Sequence, residues 1–477
     1  MSQPDTQTPK SAEPKLKASA DSDDTLYAVR QKVYPRAVTG LFATWRWILV
    51  WATQLIFYGL CWLPWGDRQA VLLDVVERKF YIFGWVFWPQ DVFFLAILLI
   101  ISAYALFFFT AVAGRLWCGY ACPQTVYTEI YLWFERVIEG DRSARMRLDA
   151  APMSAAKFGR KTLKQIVWIA FGLWTGFTFV GYFTPIRELA GHVLQWNLGA
   201  WEIFWIFFYG FATYGNAGFM REQVCMYMCP YARFQSAMFD KDTLIVTYDA
   251  KRGEPRGGRS KSADPKALGL GDCVNCTLCV QVCPTGIDIR NGLQYECISC
   301  AACIDVCDEV MDKVGYPRGL IRYSTENALE QGWGRKDILR QVLRPRVLIY
   351  TAILAAVVIA LVASLALRTP FKVDIVRDRA TLARLVDGNQ IENVYRIQVM
   401  NATEKPQTFQ IAVEDLTGLQ IVSDKSVTVD GAQSLWVPVQ LRLPYGSAKS
   451  GSHTIHFRVA SPGVGEVREK SIFMVPR

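Results

Sequence analysis

The 477-residue sequence predicts a multidomain membrane protein, in which an α-helical transmembrane bundle of five spans carries two further domains. Two observations predict this class. Hydrophobic residues make up 52% of the chain, including 27 Phe and 16 Trp, which is too apolar for an ordinary soluble protein. The apolar residues also gather into runs that are long enough to cross a bilayer. The predicted spans cover residues 38–60, 92–113, 163–183, 202–219 and 347–367.

The segments that flank these spans predict the orientation. Residues 1–37 are polar and contain no cleavable signal, so we expect a retained, disordered cytoplasmic tail. Lys and Arg crowd the loop between the second and third spans, whereas Arg187 is the only basic residue in the next loop. Five crossings then place the region after residue 367 outside. The expected location is the inner (cytoplasmic) membrane, multi-pass, and the net charge of +9 is attributed to these flanks rather than to nucleic-acid binding.

A four-span membrane domain is expected over residues 38–240, and a cysteine-rich domain follows it over 241–330. Eight of the 13 cysteines form two Cys-x2-Cys-x2-Cys-x3-Cys runs, "CVNCTLCVQVC" and "CISCAACIDVC". In such runs three cysteines hold one [4Fe–4S] cluster and the fourth holds the other cluster. The predicted ligand sets are Cys273, Cys276, Cys279 and Cys307 for one cluster, and Cys297, Cys300, Cys303 and Cys283 for the other.

This spacing indicates a bacterial-type 2[4Fe–4S] ferredoxin domain. A zinc ribbon is the weaker alternative, because zinc ligands normally come in pairs rather than in triplets plus one. Cluster assembly needs reducing surroundings, which suits the cytoplasmic side to which the charge pattern assigns this domain. Its flanks, around "TLIVTYD" and "GLIRYS", predict two strands, and a basic, glycine-rich tether follows the first.

A second cysteine pattern occurs twice in the membrane domain, as "WCGYACPQ" and "VCMYMCPY". Each cassette places two thiols four residues apart, which on a helix would share one face. The proline after the second cysteine either kinks a helix or begins a new one, and a thiol at a helix N-terminus is expected to have a lowered pKa. The cassette cysteines are Cys118, Cys122, Cys225 and Cys229, of which Cys122 and Cys229 would lie at a helix N-terminus.

If the two cassettes pack side by side, four thiols converge near one point of the membrane surface. Thiolate ligands favour a soft ion, with Cu(I) as the prime case, and Met220, Met226 and Met228 lie nearby as packing residues or thioether ligands. Ordinary buried cysteines, a zinc ion or a third iron–sulfur cluster are the alternatives.

The remaining chain divides at the fifth span. Residues 331–369 are predicted to form a basic flank and the fifth transmembrane helix. In residues 370–477 apolar and polar residues alternate, which is typical of short strands. About seven such strands predict a C-terminal, periplasmic immunoglobulin-like β-sandwich. The three histidines are His192, His453 and His456, so haem held by two membrane histidines is not expected.

The twin cassettes, the tandem cysteine runs, "RGEPRG", "GLIRYS" and the outer sandwich together resemble the CcoG/FixG/RdxA family of accessory proteins for maturation of cbb3-type cytochrome oxidase. The likeness covers almost the whole chain after Tyr34. The resemblance implies an oxidoreductase, a cupric reductase that reduces Cu(II) to Cu(I) for the oxidase. It also implies that the four cassette cysteines bind copper and that the two [4Fe–4S] clusters supply its electrons.

The same resemblance leaves rival functions open. One is a quinol dehydrogenase subunit like those of nitrate and nitrous-oxide respiration, and another is a non-catalytic copper chaperone or assembly scaffold. The expected partners are a copper ion, a cytoplasmic electron donor, a copper-exporting ATPase or oxidase assembly factors, and membrane lipid. No nucleic acid is expected, and a homodimer is left open.

Overall fold

The computed structural model describes residues 32–260, 267–378, 383–386 and 388–476. Its helices up to the cysteine-rich domain are α1 Leu41–Gly59, α2 Val92–Ala113, α3 Leu116–Tyr120, α4 Pro123–Glu139, α5 Arg142–Ala150, α6 Ala155–Val180, α7 Ile186–Leu194, α8 Ala200–Thr213 and α9 Pro230–Met238. The later helices are α10 Ala250–Gly253, α11 Leu278–Gln281, α12 Ala302–Val314, α13 Glu326–Gln331, α14 Arg335–Gln341 and α15 Pro345–Ala366. Two π-helical segments, Tyr214–Met220 and Val224–Met228, follow α8.

Three of the predicted spans are confirmed as helices long and apolar enough to cross a membrane. They are Pro89–Ala113, which contains α2, together with α6 and α15. The first predicted span forms α1, a helix of 19 residues, and the fourth forms α8, which has 14 residues before its π-helical continuation. Neither is among the helices of the described chain that qualify by length and apolarity, so five crossings and their direction stay a prediction.

The strands of the described residues form five sheets. They are β1 Pro64–Trp65, β2 Arg68–Gln69, β3 Val71–Asp74, β4 Lys79–Ile82, β5 Trp85–Phe87, β6 Ile245–Tyr248, β7 Ile321–Ser324, β8 Phe371–Arg377, β9 Arg384–Val386, β10 Gln390–Asn401, β11 Gln407–Glu414, β12 Gln420–Ile421, β13 Ser426–Val429, β14 Ser434–Pro444, β15 Gly451–Ser461 and β16 Gly465–Val475. Strands β6 and β7 pair antiparallel and close the cysteine-rich domain, as predicted from its flanks. The first five strands lie between α1 and α2, where the sequence analysis predicted no structure.

The C-terminal region is a sandwich of two antiparallel sheets, as predicted. One sheet has the order β12-β14-β10-β8 with β9 beside β10, and the other has the order β13-β11-β15-β16. The nine strands of its described residues exceed the expected seven, because β9, β12 and β13 are short. Alternate residues of the long strands face inward and form an apolar core that includes Tyr395, Phe409 and Phe457.

Ion pairs fix this sandwich to the loop between α1 and α2. The buried carboxylate of Asp91 lies 2.6 Å from Arg368 and 2.5 Å from Lys372, and Arg68 pairs with Glu404 at 2.9 Å. Val86 and Trp88 pack against Met400 in a shared apolar cluster. The sandwich is therefore held directly against one end of the helical domain.

At the other end, the cysteine-rich domain packs on α1, α3 and the segment before α1. Of the predicted disordered tail, residues 1–31 lie outside the described part. Residues 32–37 make defined contacts: Tyr34 donates a hydrogen bond to Asp149 at 2.6 Å, and the Arg36 amide donates to the Gln281 carbonyl at 2.8 Å. These contacts join the membrane domain and the cysteine-rich domain at their common edge.

Candidate metal centres

The two cysteine runs fold into the same local shape. Asn275 and Thr277 in the first loop, and Ser299 and Ala301 in the second, all have φ between 55° and 59°. Left-handed backbone at four residues other than glycine is uncommon, and here it recurs at equivalent positions. Each loop then enters a helix, α11 or α12. The repeated backbone wraps each loop around a centre of its own.

The thiols of this domain fall into two electrostatic groups, and the crossed ligand assignment stays a prediction. The first set, in which the thiols interact electrostatically, is Cys273, Cys276, Cys279 and Cys307, and the second set is Cys283, Cys297, Cys300 and Cys303. A cavity of ≈350 Å³ lies among the second set. Burial raises the pKa of the Cys279 thiol to about 11 and that of Cys307 to about 12, so metal binding would release their protons. Both sets fit the ligand demand of a [4Fe–4S] cluster.

The cassettes differ from the expected geometry of two thiols on one continuous helix. Helix α3 ends at Tyr120, and Cys122 is the extended N-cap residue of α4, with Pro123 in its first turn. In the second cassette Cys225 lies in a π-helical segment, while Cys229 is the N-cap residue of α9, before Pro230. The shared-face expectation is therefore wrong, because each proline begins a new helix and the chain turns between the two thiols.

The cassette thiols come together across the domain nonetheless. Electrostatic interactions link Cys118, Cys122, Cys225 and Cys229. The buried side-chain amide of Gln235 lies 3.4 Å from Cys118 Sγ. Met228, one of the candidate thioether ligands, is exposed. Within the described residues, no three Cys, His, Asp or Glu side chains are grouped closely enough to hold one metal ion, and this is true of the cassette thiols and of the two cysteine sets alike.

A buried charge network holds the two cassettes beside each other. Glu135, on the helix that begins at the first cassette, pairs with Arg221 at 3.0 Å and with Arg145 at 2.9 Å. Arg221 precedes the second cassette. Its carbonyl accepts a hydrogen bond of 3.1 Å from Gln124, which also donates to the Asn216 carbonyl at 2.9 Å. Removing one partner of a buried network of this kind leaves the others unpaired, which makes the arrangement costly to disrupt.

Both cassettes contact the loop of the second set. A Cβ atom at Gly119, between the two thiols of the first cassette, would lie 2.7 Å from the Ile298 carbonyl oxygen and 2.9 Å from Cys300 Cα. Cys118 also packs in one apolar cluster with Ile298 and Cys300. The Tyr295 hydroxyl donates 2.9 Å to the carbonyl of Met226, in the second cassette. The cassettes and the loop of the second set are therefore in direct contact.

One buried arginine and one buried aspartate make contacts between domains at this junction. Arg115 is 4% exposed; its guanidinium donates to the carbonyls of Ala232, at 2.7 Å, and of Tyr295, and it stacks on the Tyr295 ring. It thereby joins the α2–α3 corner, α9 and the cysteine-rich domain. On α12, Asp305 accepts hydrogen bonds from the amides of Phe42, at 3.1 Å, and Ala43, at 2.7 Å, at the N-terminus of α1.

The lowered pKa expected of a cassette thiol at a helix N-terminus is wrong for Cys122, because burial raises the pKa of its thiol. Burial raises the pKa of the Cys118 thiol to about 11 and that of Cys225 to about 12. Burial likewise raises the pKa of Cys122, although hydrogen bonds from the amides of Gln124 and Thr125 act in the opposite direction. Desolvation of the thiolate therefore outweighs its place at a helix N-terminus.

Sequence reasoning missed Gly119, Arg115 and Asp305 as parts of the site. Gly119 had a local signal, a glycine between two paired cysteines, but its contact lies far away in the sequence. Arg115 and Asp305 look like ordinary flanking charges. Their partners belong to other domains, which no local pattern reveals.

Family comparisons match all three parts of the chain. A profile described as "4Fe-4S dicluster domain" matches residues 220–326, and another described as "4Fe-4S binding domain" matches residues 95–139. A profile of the "IG-like fold at C-terminal of FixG" matches residues 361–476. The first match contains the second cassette together with both cysteine sets, and the second match contains the first cassette.

Related proteins extend the likeness over most of the length. Protein RdxA of Cereibacter sphaeroides is 40% identical over 87% of this chain and 88% of its own, and protein RdxB of the same organism is 40% identical over 87% and 85%. Nitrogen fixation protein FixG of Rhizobium meliloti is 38% identical over 85% of this chain and 83% of its own. A crystal structure of a FixG-related protein from Vibrio parahaemolyticus aligns with 22% of this chain and 95% of its own, at 23% identity and a TM-score of 0.21.

Apolar spanning helices, two [4Fe–4S]-type cysteine sets and an immunoglobulin-like domain define a membrane iron–sulfur protein of the electron-transfer oxidoreductase class. The matched domains support two iron–sulfur clusters. The chain belongs to the FixG/RdxA family.

Proposed function

We propose that this chain is a membrane-bound iron–sulfur metalloreductase that reduces Cu(II) to Cu(I) for copper delivery during assembly of a cbb3-type cytochrome oxidase. One observation carries the proposal. The thiols of both cassettes converge, and both cassettes contact the loop of the second cysteine set. A soft-ligand site next to an electron-carrying site is the arrangement that a metal reductase needs.

The residues divide into two roles. Cys118, Cys122, Cys225 and Cys229 would bind the copper ion, which is the substrate, and the eight cysteines of the two sets would hold the clusters. The bound clusters would supply the one electron that converts Cu(II) to Cu(I), taken in turn from a cytoplasmic one-electron reductant. Thiolate ligands stabilise Cu(I) over Cu(II), so the cassettes make the reduction more favourable.

Contacts and exposure of the cysteines at the junction between the cassettes and the second set support these two roles. Gln235 and Thr125 contact the first cassette, where Gln235 reaches Cys118 Sγ and the Thr125 hydroxyl donates 2.5 Å to the Cys118 carbonyl. Cys276 of the first set is exposed, whereas Cys300 of the second set is buried against Gly119. Electrons would enter at the exposed first set and leave from the second set toward the cassettes.

Sidedness and partners complete the proposal. The Lys and Arg bias supports a cytoplasmic N-terminus and cysteine-rich domain and a periplasmic sandwich. Exposed apolar side chains on α2, α8 and α15 suit contact with lipid. A copper-exporting ATPase or an oxidase assembly factor would receive the Cu(I). The quinol dehydrogenase and the non-catalytic copper chaperone are the rival functions.

A different occupant of the cassettes has an observation in its favour. The family profile over the first cassette is described as 4Fe–4S binding. A third cluster would bring iron to about twelve atoms per chain instead of about eight. Iron and acid-labile sulfide of the purified protein distinguish the two occupants.

The experiment that tests copper reduction uses dithionite-reduced, anaerobic protein mixed with Cu(II), with cluster oxidation followed optically. Replacement of all four cassette cysteines by Ser should abolish copper-driven oxidation, because oxygen replaces thiolate poorly toward Cu(I). Iron content should stay near that of the native protein. Oxidation at the native rate in this variant would make the cassettes structural, and copper binding without cluster oxidation in the native protein would favour the chaperone.

A further inference from the structure

Arg46 is a buried cation of α1 that the proposed reaction does not use. It is 8% exposed, and its Nε has no hydrogen-bond partner. Across the described ranges, no ion pair joins its guanidinium to a carboxylate. A guanidinium that is taken out of water without a partner is unfavourable, so the native state should supply a compensating negative charge.

The surroundings of Arg46 show where that charge lies. Arg46 faces a cavity of ≈580 Å³ whose walls include Gly119, Cys225 and Cys300. Its anionic or ionisable neighbours are Cys300, Glu129 and Asp305, and Glu129 lines the same cavity. Cys300 becomes anionic when it ligates a metal centre. A thiolate-bound centre in the second set would therefore place a further negative charge beside Arg46, in addition to the two nearby carboxylates.

The first set has a different arrangement. Arg290 is its neighbouring cation, but the guanidinium of Arg290 donates two hydrogen bonds to the Asp288 carboxylate, at 2.8 and 2.7 Å. Its charge is already neutralised within the same loop. A cation without a direct ion pair beside one set, and a directly paired cation beside the other, place the two centres in unequal fields.

We propose that Arg46 is the fixed counter-charge of the cluster held by Cys283, Cys297, Cys300 and Cys303, and that it raises the reduction potential of this cluster above that of the first set. Reduction adds negative charge to a cluster, and a nearby cation stabilises the reduced form in a low-dielectric site. Electrons would then collect at the second set, beside the cassettes. The inference rests on the proposed cluster ligands but is independent of copper.

The test is an EPR-monitored redox titration of the full chain in detergent. Signals are assigned with Cys276→Ser and Cys300→Ser, each of which removes a ligand of one set. Arg46→Gln should lower the potential of the second-set cluster by at least the equivalent of a tenfold change in its reduction equilibrium, about 59 mV for one electron. The first-set cluster should not move. Arg46→Lys should retain most of the native potential, and Arg318→Gln, an exposed cation of the same domain, should change neither cluster.

Each outcome decides the proposal. Unchanged potentials in Arg46→Gln, or equal shifts of both clusters, would overturn it. If Arg46→Gln loses iron while Arg46→Lys keeps it, a positive charge is required to hold the second cluster, which supports the proposal. Loss of iron in both variants would assign Arg46 a packing role instead. A native protein with no [4Fe–4S] signal would contradict the proposed function itself.

Discussion

The two cysteine loops have the same cysteine spacing and left-handed backbone at equivalent positions, yet their surroundings differ in solvent exposure and in charge. The first loop leaves Cys276 exposed and carries an arginine that is already paired with Asp288. The second loop is buried between domains, where Gly119 lies against Cys300, and Arg46, which makes no ion pair within the described residues, lines one cavity with Cys300 and Glu129. Local sequence therefore determines how each loop wraps a cluster, while tertiary packing gives the two sites different roles.

The largest expected effect concerns the crossing of ligands between the loops. Cys283→Ser should remove the cluster of the second loop, although Cys283 follows the first loop in the sequence, and Cys307→Ser should remove the cluster of the first loop. Each variant should lose about half of its iron. The EPR spectrum of Cys283→Ser should match that of Cys300→Ser, and the spectrum of Cys307→Ser should match that of Cys276→Ser.

Cys61→Ser is the matched control, because Cys61 is a buried cysteine that belongs to neither set. It should retain all of its iron. If the EPR spectrum of Cys283→Ser instead matched that of Cys276→Ser, each run would hold its own cluster, and the crossed ligand sets would be wrong.

A smaller effect is expected at the contact between the first cassette and the second loop. Gly119→Val would drive its side chain into the Ile298 carbonyl and Cys300, at a cost of about 1–3 kcal/mol in the free energy of unfolding. Copper-driven oxidation should slow as the two sites separate, while the first-loop cluster keeps its EPR signal. Gly215→Ala is the control, since a Cβ atom there meets nothing within 4 Å. If the two variants had the same rate of copper-driven oxidation, the contact between Gly119 and the second loop would not contribute to function.

The smallest effect is expected at the hydrogen bonds that dock the second loop on α1. Asp305 supplies the acceptor that Gly40, the N-cap residue of α1, lacks. Asp305→Ala should destabilise the docking of the two domains by about 1–2 kcal/mol, as loss of a helix cap does. Hydrogen exchange at Phe42 and Ala43 should become faster, with little change in the first loop. Glu309→Ala, on the same helix but exposed, should leave exchange at α1 unchanged.

The sequence predicted the parts whose signals are local. The triplet-plus-one spacing predicted a two-cluster domain, which the family profile supports, and apolar runs predicted α2, α6 and α15. Alternating residues gave the long strands β10, β14 and β15. Each of these features is determined within a few turns or one strand, so a periodic pattern is sufficient to find it.

The remaining features depend on contacts between distant parts of the chain. The shared face predicted for Cys118 and Cys122 failed because Pro123 begins α4 instead of continuing a helix. The predicted fall in the pKa of Cys122 failed because burial of its thiol outweighs its place at a helix N-terminus. Arg46 and Cys300 are separated by more than half of the chain, and only the docking of two domains brings them to one cavity.

Variants that keep a single cluster test most directly whether electrons pass from the first-loop cluster to the second-loop cluster and then to the cassettes. Cys307→Ser and Cys283→Ser are reduced with dithionite, mixed anaerobically with Cu(II) and followed by stopped-flow absorption of the remaining cluster. We expect Cys307→Ser, which keeps the second-loop cluster, to be oxidised at close to the native rate. Cys283→Ser, which keeps the first-loop cluster, should be oxidised far more slowly. Faster oxidation of Cys283→Ser, or equal rates in both variants, would contradict the claim that the second loop delivers electrons to the cassettes.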